Sequence, residues 1–151
     1  MNLSITINGK PIPKARPRLT RDGLAYTPKQ TRDYERSIKR AAIIEMAGSP
    51  LMDGAVCLDV QAFFPIPSSW SKKRRSMALD GTLAHTVRPD GSNVLKSIED
   101  ALNGVVYADD SQIVKSTISK HYSDRPRVEV TISTTDIKGD TCQLFPESLE
   151  A

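Results

Sequence analysis

The chain has 151 residues, 38% of them hydrophobic and 26% charged, with a formal net charge of +3. That length suits one domain around one core, and no stretch approaches the roughly 18 consecutive apolar residues that a membrane span needs. Met1-Asn2-Leu3-Ser4-Ile5 lacks the basic start and apolar run of a secretory leader, so a soluble, cytoplasmic protein is expected. Cys57 and Cys142 lie far apart with no CxxC spacing and no nearby His, which argues for free thiols rather than a zinc site or a disulfide framework. Charge is uneven: residues 1–50 carry ten Lys/Arg against four acids, whereas residues 99–151 carry five against ten. The basic half could neutralise phosphates and the acidic half could hold cations, although charge runs are as often plain solvated surface.

Leu3, Ile5 and Ile7 alternate with polar residues, the period of a half-buried strand, which Asn8-Gly9, Pro11 and Pro13 end. Prolines then leave Pro13 to Arg18 as an exposed extended arm carrying Lys14, Arg16 and Arg18. Thr27-Pro28 suits an N-cap and first helical position, and the helix is predicted to run to about Ala47. Its apolar face is read as Tyr34, Ile38, Ala41 and Ile44, with Arg32, Arg36, Lys39 and Arg40 opposite. Val56 to Phe64 alternates as a second strand. Ser68 to Thr86 reads as a helical turn and loop around Trp70 and the cluster Lys72, Lys73, Arg74 and Arg75. A turn at Arg88-Pro89-Asp90-Gly91-Ser92 leads into a helix from about Asn93 to Asn103, with Gly104 as C-cap. Ile113–Tyr122 and Arg127–Ser133 are expected to pair as a hairpin. The fold class implied is α+β, a small mixed sheet flanked by helices over residues 1–133, with 134–151 as a loose polar tail.

The second helix places Val94, Leu95, Ile98, Ala101 and Leu102 on one side and Asn93, Lys96, Asp100 and Asn103 on the other. It spans roughly 18 Å, and an extended return from Gly104 covers roughly 20 Å, enough to bring Asp110 back along the helix towards Asp90. Converging carboxylates repel one another unless a cation sits among them, and carboxylate and water oxygens are the ligands Mg²⁺ prefers. Lys96 would then stand ready to offset charge on a phosphorane. Spacing alone also allows a capping Asp90, a plain surface turn at Asp109-Asp110 and a solvated Lys96. His85 and His121 show no recognisable partner and read as structural or solvated.

Taken in order, Arg88-Pro89-Asp90-Gly91-Ser92-Asn93, Lys96, Asp100-Ala101-Leu102-Asn103-Gly104 and Asp109-Asp110-Ser111-Gln112-Ile113-Val114 resemble the core signature of the RusA family of Holliday junction resolvases. Pro13-x-x-Arg16-Pro17-Arg18, Tyr26-Thr27-Pro28 and Tyr34-Glu35 are similar to the arm found in its phage branch. The resemblance implies a RusA-like fold and a homodimeric, Mg²⁺-dependent endodeoxyribonuclease acting on four-way junctions, of prophage origin, without membrane or small-molecule cofactor. By position it implies Asp90, Lys96 and Asp110 as catalytic residues, and Asp90 and Asp110 as metal ligands. Asn93 would support them, and Asp109 precedes the usual ligand. Ser92 stands where the family carries a second Asp, so a neutral hydroxyl replaces a charged ligand, or simply serves as helix N-cap. DNA contacts are expected from Lys14, Arg16, Arg18, Arg32, Arg36, Lys72, Lys73, Arg74, Arg75, Arg88 and Asn93. Two rivals follow: a junction-binding dimer that does not cut, favoured by Ser92, and a general single-strand or flap nuclease.

Overall fold

The computed structural model describes residues 1–135. Most of the tail expected from residue 134 onward, and Cys142 with it, lies outside the described residues. Thr134 itself closes the last strand, its N–H donating to the Met1 carbonyl at 3.1 Å.

In chain order the elements are β1 (Asn2–Asn8), β2 (Arg18–Leu19), β3 (Ala25–Tyr26), α1 (Lys29–Met46), β4 (Val56–Pro65), α2 (Lys72–Leu79), α3 (Gly91–Leu102), β5 (Ile113–Ser123) and β6 (Arg127–Thr134). Four strands form one sheet in the order β1-β6-β4-β5, and β2 with β3 make a small separate hairpin. Since β4 runs parallel to β5 and antiparallel to β6, the sheet is mixed and the fold is α+β, as the sequence implies.

The expected hairpin between the last two strands does not form. β5 and β6 follow each other in the chain, but β4 lies between them. The reason is visible in β4, whose first five residues, Val56 to Val60, are all buried. A strand buried on both faces belongs in the interior of a sheet, with a ladder on each edge. Its parallel partner requires a long crossover, which α2, the loop after it and α3 provide.

Helices α1 and α3 cover one face of the sheet. Ile5, Val60, Val130 and Ile132 from the strands meet Ile38 and Ala42 from α1 and Val94, Ile98 and Leu102 from α3 in one core. The buried stripe of α1 differs from the one expected. It runs through Thr31, Tyr34, Ile38, Ala42 and Met46, while Ile44 is 69% exposed. Ala41 and Ala42 are equally small, so composition did not fix where the stripe turns; packing against β1 and α3 did. Pro28 is the cap residue of α1, one position later than anticipated, and no side chain caps it.

The other sheet face is polar. Thr117 Oγ1 and Gln61 Nε2 donate to the buried Asp59 carboxylate, at 2.5 and 3.1 Å, and His121 Nε2 lies 2.7 Å from Gln61 Oε1. His121 is therefore hydrogen-bonded rather than solitary. Cys57, on the same strand, is buried; the expectation that it and Cys142 are free thiols involves a residue outside the described ones. Among the described residues no helix is long and apolar enough to cross a membrane.

Candidate active site

α3 starts two residues earlier than its periodicity suggests. Asp90 is its cap residue, and the Asp90 carbonyl accepts from Asn93 and Val94 N–H at 3.1 and 3.3 Å. Gly91 permits this start, because a Cβ there would lie 3.2 Å from Ile118 Cγ2 on β5. Ser92 is consequently the second helical residue, not the N-cap. The Asp90 side chain makes no capping bond and is exposed.

Val94, Ser97, Ile98, Ala101 and Leu102 face the core, which leaves Asn93, Lys96 and Asp100 along the open flank. The proline-rich arm lies against that flank. Lys14 N–H donates to the Asn93 carbonyl at 2.8 Å, and Ser97 Oγ donates to the Ile12 carbonyl at 3.0 Å. So the arm is docked at Lys14, while Arg16 and Arg18 beyond it are exposed as expected.

Docking carries the Lys14 ammonium between two helices, 2.5 Å from Glu35 Oε1 on α1 and 3.2 Å from Asp100 Oδ2 on α3. Burial lowers the Lys14 pKa, but the hydrogen bonds to Glu35 and Asp100 outweigh it and leave the group raised above an ordinary lysine. Lys96 Nζ stands 3.1 Å from Asp100 Oδ1 and 3.8 Å from Asp110 Oδ2. Asp100, followed by Asp110 and Glu99, holds its pKa up as well. The Glu99 carboxyl is raised above the usual glutamate range, first by burial, with the neighbouring Asp100 and Asp110 charges adding to it and Lys96 opposing.

A stapled turn delivers Asp110. Gln112 Nε2 donates to the carbonyls of Met52 and Gly54, both at 3.0 Å, while Gln112 Oε1 accepts from Ala108 and Asp109 N–H at 2.9 and 3.1 Å. The Asp109 side chain caps the short 3₁₀ turn Asp110–Gln112 and accepts from Ser111 Oγ at 2.6 Å. That hydroxyl is the first cause of its lowered pKa. Asp109 thus shapes the turn, and Asp110 is the carboxylate aimed at α3. Tyr107, fully buried, fixes the return, its hydroxyl donating to the Glu99 carbonyl at 2.7 Å.

Four carboxylates, Glu35, Glu99, Asp100 and Asp110, therefore gather around two ammonium groups, Lys14 and Lys96, and the cluster carries net negative charge. Beside it opens a recess of about 560 Å³ whose lining includes Lys14, Arg88, Asp90 and Asn93. The returning chain meets α3 at Lys96 and Asp100, not at its first residue. Asp90 lies roughly 9 Å along the axis from Lys96 at 1.5 Å per residue. The sequence places Asp110, Lys96 and Asp90 on this surface and puts Asp100 on the same open side of the helix. Glu35 it shows only as half of the Tyr34-Glu35 pair, since nothing local announces a contact across three segments.

The donor set suits Mg²⁺ in a particular way. Among the described residues no three acidic or sulfur and imidazole groups form a ready cage, so a cation here would be held by one or two carboxylates and keep most of its water, which Mg²⁺ favours. Excess negative charge supplies the attraction.

Of the expected DNA contacts, Arg32 and Arg36 are exposed on α1, Arg36 with Asp33 3.9 Å away. On α2, Ser71 caps the helix by accepting from Arg74 N–H, and the Arg74 guanidinium lies 3.9 Å from the Trp70 ring centre. Lys72, Lys73 and Arg75 are solvent-facing or half-buried around it. None of these groups lines that recess.

The family model described as "Endodeoxyribonuclease RusA" matches residues 8–133. The chain is also 36% identical over 137 residues to "Uncharacterized protein YqaN" of Bacillus subtilis (strain 168), a match spanning 86% of this chain and 94% of that protein.

Proposed function

The chain belongs to the RusA endodeoxyribonuclease family, and from that premise we propose that it is a Mg²⁺-dependent, structure-selective nuclease that resolves four-way DNA junctions as a homodimer. One observation carries this reading: the surplus of negative charge around Lys96 borders an open recess whose lining includes the cations Lys10, Lys14 and Arg88 beside Asp90. A phosphate backbone needs the cationic walls to approach and a divalent ion to bridge it to the carboxylates.

Asp90 and Asp110 would supply carboxylate oxygens to the ion, Ser92 at most a neutral one, and Asp100 stands as a further acid on the same flank. Bound Mg²⁺ supplies Lewis acidity and an activated water. Lys96 would stabilise the charge that develops on the phosphorane, and Asp100 and Asp110 keep it protonated and aimed. Lys14 and Asn93 fix the recess wall, and Arg88 sits at its mouth. Arg16, Arg18, Arg32, Arg36 and the cations of α2 would bind phosphates of the arms. Two such sites in a homodimer match the paired cuts that a four-way junction requires.

A second reading, a junction-binding dimer that does not cut, is favoured by Ser92 alone. The separating experiment compares Asp90→Asn and Asp110→Asn with the native chain on a synthetic four-way junction. Loss of cutting with binding retained supports the nuclease site; full-rate cutting by either variant removes that residue from it. An equal rate on flaps or single strands would replace junction selectivity with general nuclease activity.

A further inference from the structure

Away from the carboxylates, α2 and the loop after it close over the end of β4 and β5 and leave a second recess of about 340 Å³, lined by Phe63, Leu79, Leu83, His85, Lys120 and His121. Its size lies at the lower end for small-ligand sites, which run from about 300 to 1,000 Å³. Paired rings lie beside it on both faces of the sheet edge. His85 lies over Phe64 with ring centres 4.1 Å apart and is tilted against Tyr122 at 4.8 Å, and Trp70 meets Tyr122 edge-on at 5.2 Å. His121 stacks on Phe63 at 5.0 Å.

His85 is 9% exposed, and its Nδ1 is buried with no hydrogen-bond partner among the described residues. A buried ring nitrogen left unpaired is costly. Burial first, then the Lys120 charge, holds the His85 pKa below that of an ordinary histidine. Cations stand at its edges: Lys120, and the α2 residues that carry Arg74 over Trp70.

Lys120 also ties the recess to the first site. Its Nζ donates to the Val87 carbonyl at 2.8 Å, three residues before Asp90. Asp90 lies five positions after His85, at most about 18 Å of extended chain, a distance that a few nucleotides of a single strand can cover.

We propose that this recess seats one unpaired nucleobase of the DNA substrate, stacked on the exposed His121 ring and flanked by Lys120, which would hold its phosphate. The inference rests on the DNA-cleavage reading but assigns a separate subsite, one that sets which phosphate reaches Asp90 and Asp110. Neutral aromatic walls beside cations are what a base and its backbone require together. They suit a free anion or an acidic peptide poorly.

The test uses the Asp90→Asn chain in Ca²⁺, so that binding is read without cutting. Four-way junctions carrying a single abasic site, moved one nucleotide at a time near the exchange point, are compared with the intact junction. One position should weaken binding about tenfold, the loss expected of one base–aromatic stack, and adding His121→Ala should erase that difference. Trp70, the single tryptophan, should change emission with the intact junction and less with that abasic one. Uniform affinity at every abasic position, with Trp70 emission indifferent to them, would overturn the subsite while leaving junction binding intact. Absence of junction binding altogether would overturn the DNA reading, and the subsite with it.

Discussion

Lys96 reaches from α3 to Asp110 on the following turn, Nζ to Oδ2 at 3.8 Å, and so joins the two segments that the proposed function makes reactive. Lys96 is half exposed, so the pair is too well solvated to be a structural staple. Replacing it should therefore harm the reaction far more than the fold. Lys96→Met is expected to lower the rate of junction cutting by about a hundredfold or more, as loss of one transition-state donor does, with the melting temperature and junction affinity nearly unchanged. Paired single-turnover cleavage and binding measurements check this.

Ser92, on the first turn of α3 and exposed, is where the chain departs from the family signature. On the proposed function, a carboxylate there would add a charged ligand beside Asp90. Ser92→Asp should lower the Mg²⁺ concentration that half-saturates cleavage by about tenfold, since one added charge–metal contact is worth on the order of 1.4 kcal/mol. A Mg²⁺ titration of cleavage reads it directly. An unchanged midpoint would show that residue 92 stays clear of the ion.

α1 offers a test of packing. Ile38 is fully buried and Ile44 lies in solvent. Ile38→Ala should cost about 2–5 kcal/mol in urea unfolding, whereas Ile44→Ala should stay within about 0.5 kcal/mol of the native chain. Similar costs at both positions would mean that the helix presents a different face.

Glu99 gives a pH signature. Its carboxyl pKa is raised in the folded state, first by burial, so charging it opposes folding, and that penalty is fully present only above the folded pKa. Glu99→Gln should therefore unfold at a higher temperature than the native chain at neutral pH in chelator. The gap should close on acidification towards the ordinary glutamate value of 4.5. A gap that widens in acid would reverse the sign of the argument.

Much of this molecule is legible in the sequence wherever one segment decides its own structure. Period-2 alternation locates β1 and β4, and the apolar stripe of α3 identifies Ile98 and Leu102 as core and Lys96 as open. Pairing is another matter. Arg127–Thr134 looks the same whether its partner is β5 or β4, and only the doubly buried start of β4 settles it. The candidate site divides in the same way. Asp110 and Lys96 are singled out by the family resemblance, but Lys14, Glu35 and Asp100 meet from an arm and two helices, a contact that tertiary folding alone creates. Gln112 shows what lies between: part of a readable motif, with a stapling role that needs Met52 and Gly54 in place.

Incubating the native chain with a synthetic four-way junction, with and without Mg²⁺, tests the central claim most directly. Paired symmetric nicks that appear only with the metal, and that disappear in Asp110→Asn, are the expected result. Tight junction binding with no cutting in either Mg²⁺ or Mn²⁺, and cutting gained by Ser92→Asp, would contradict it and leave the native chain a binder.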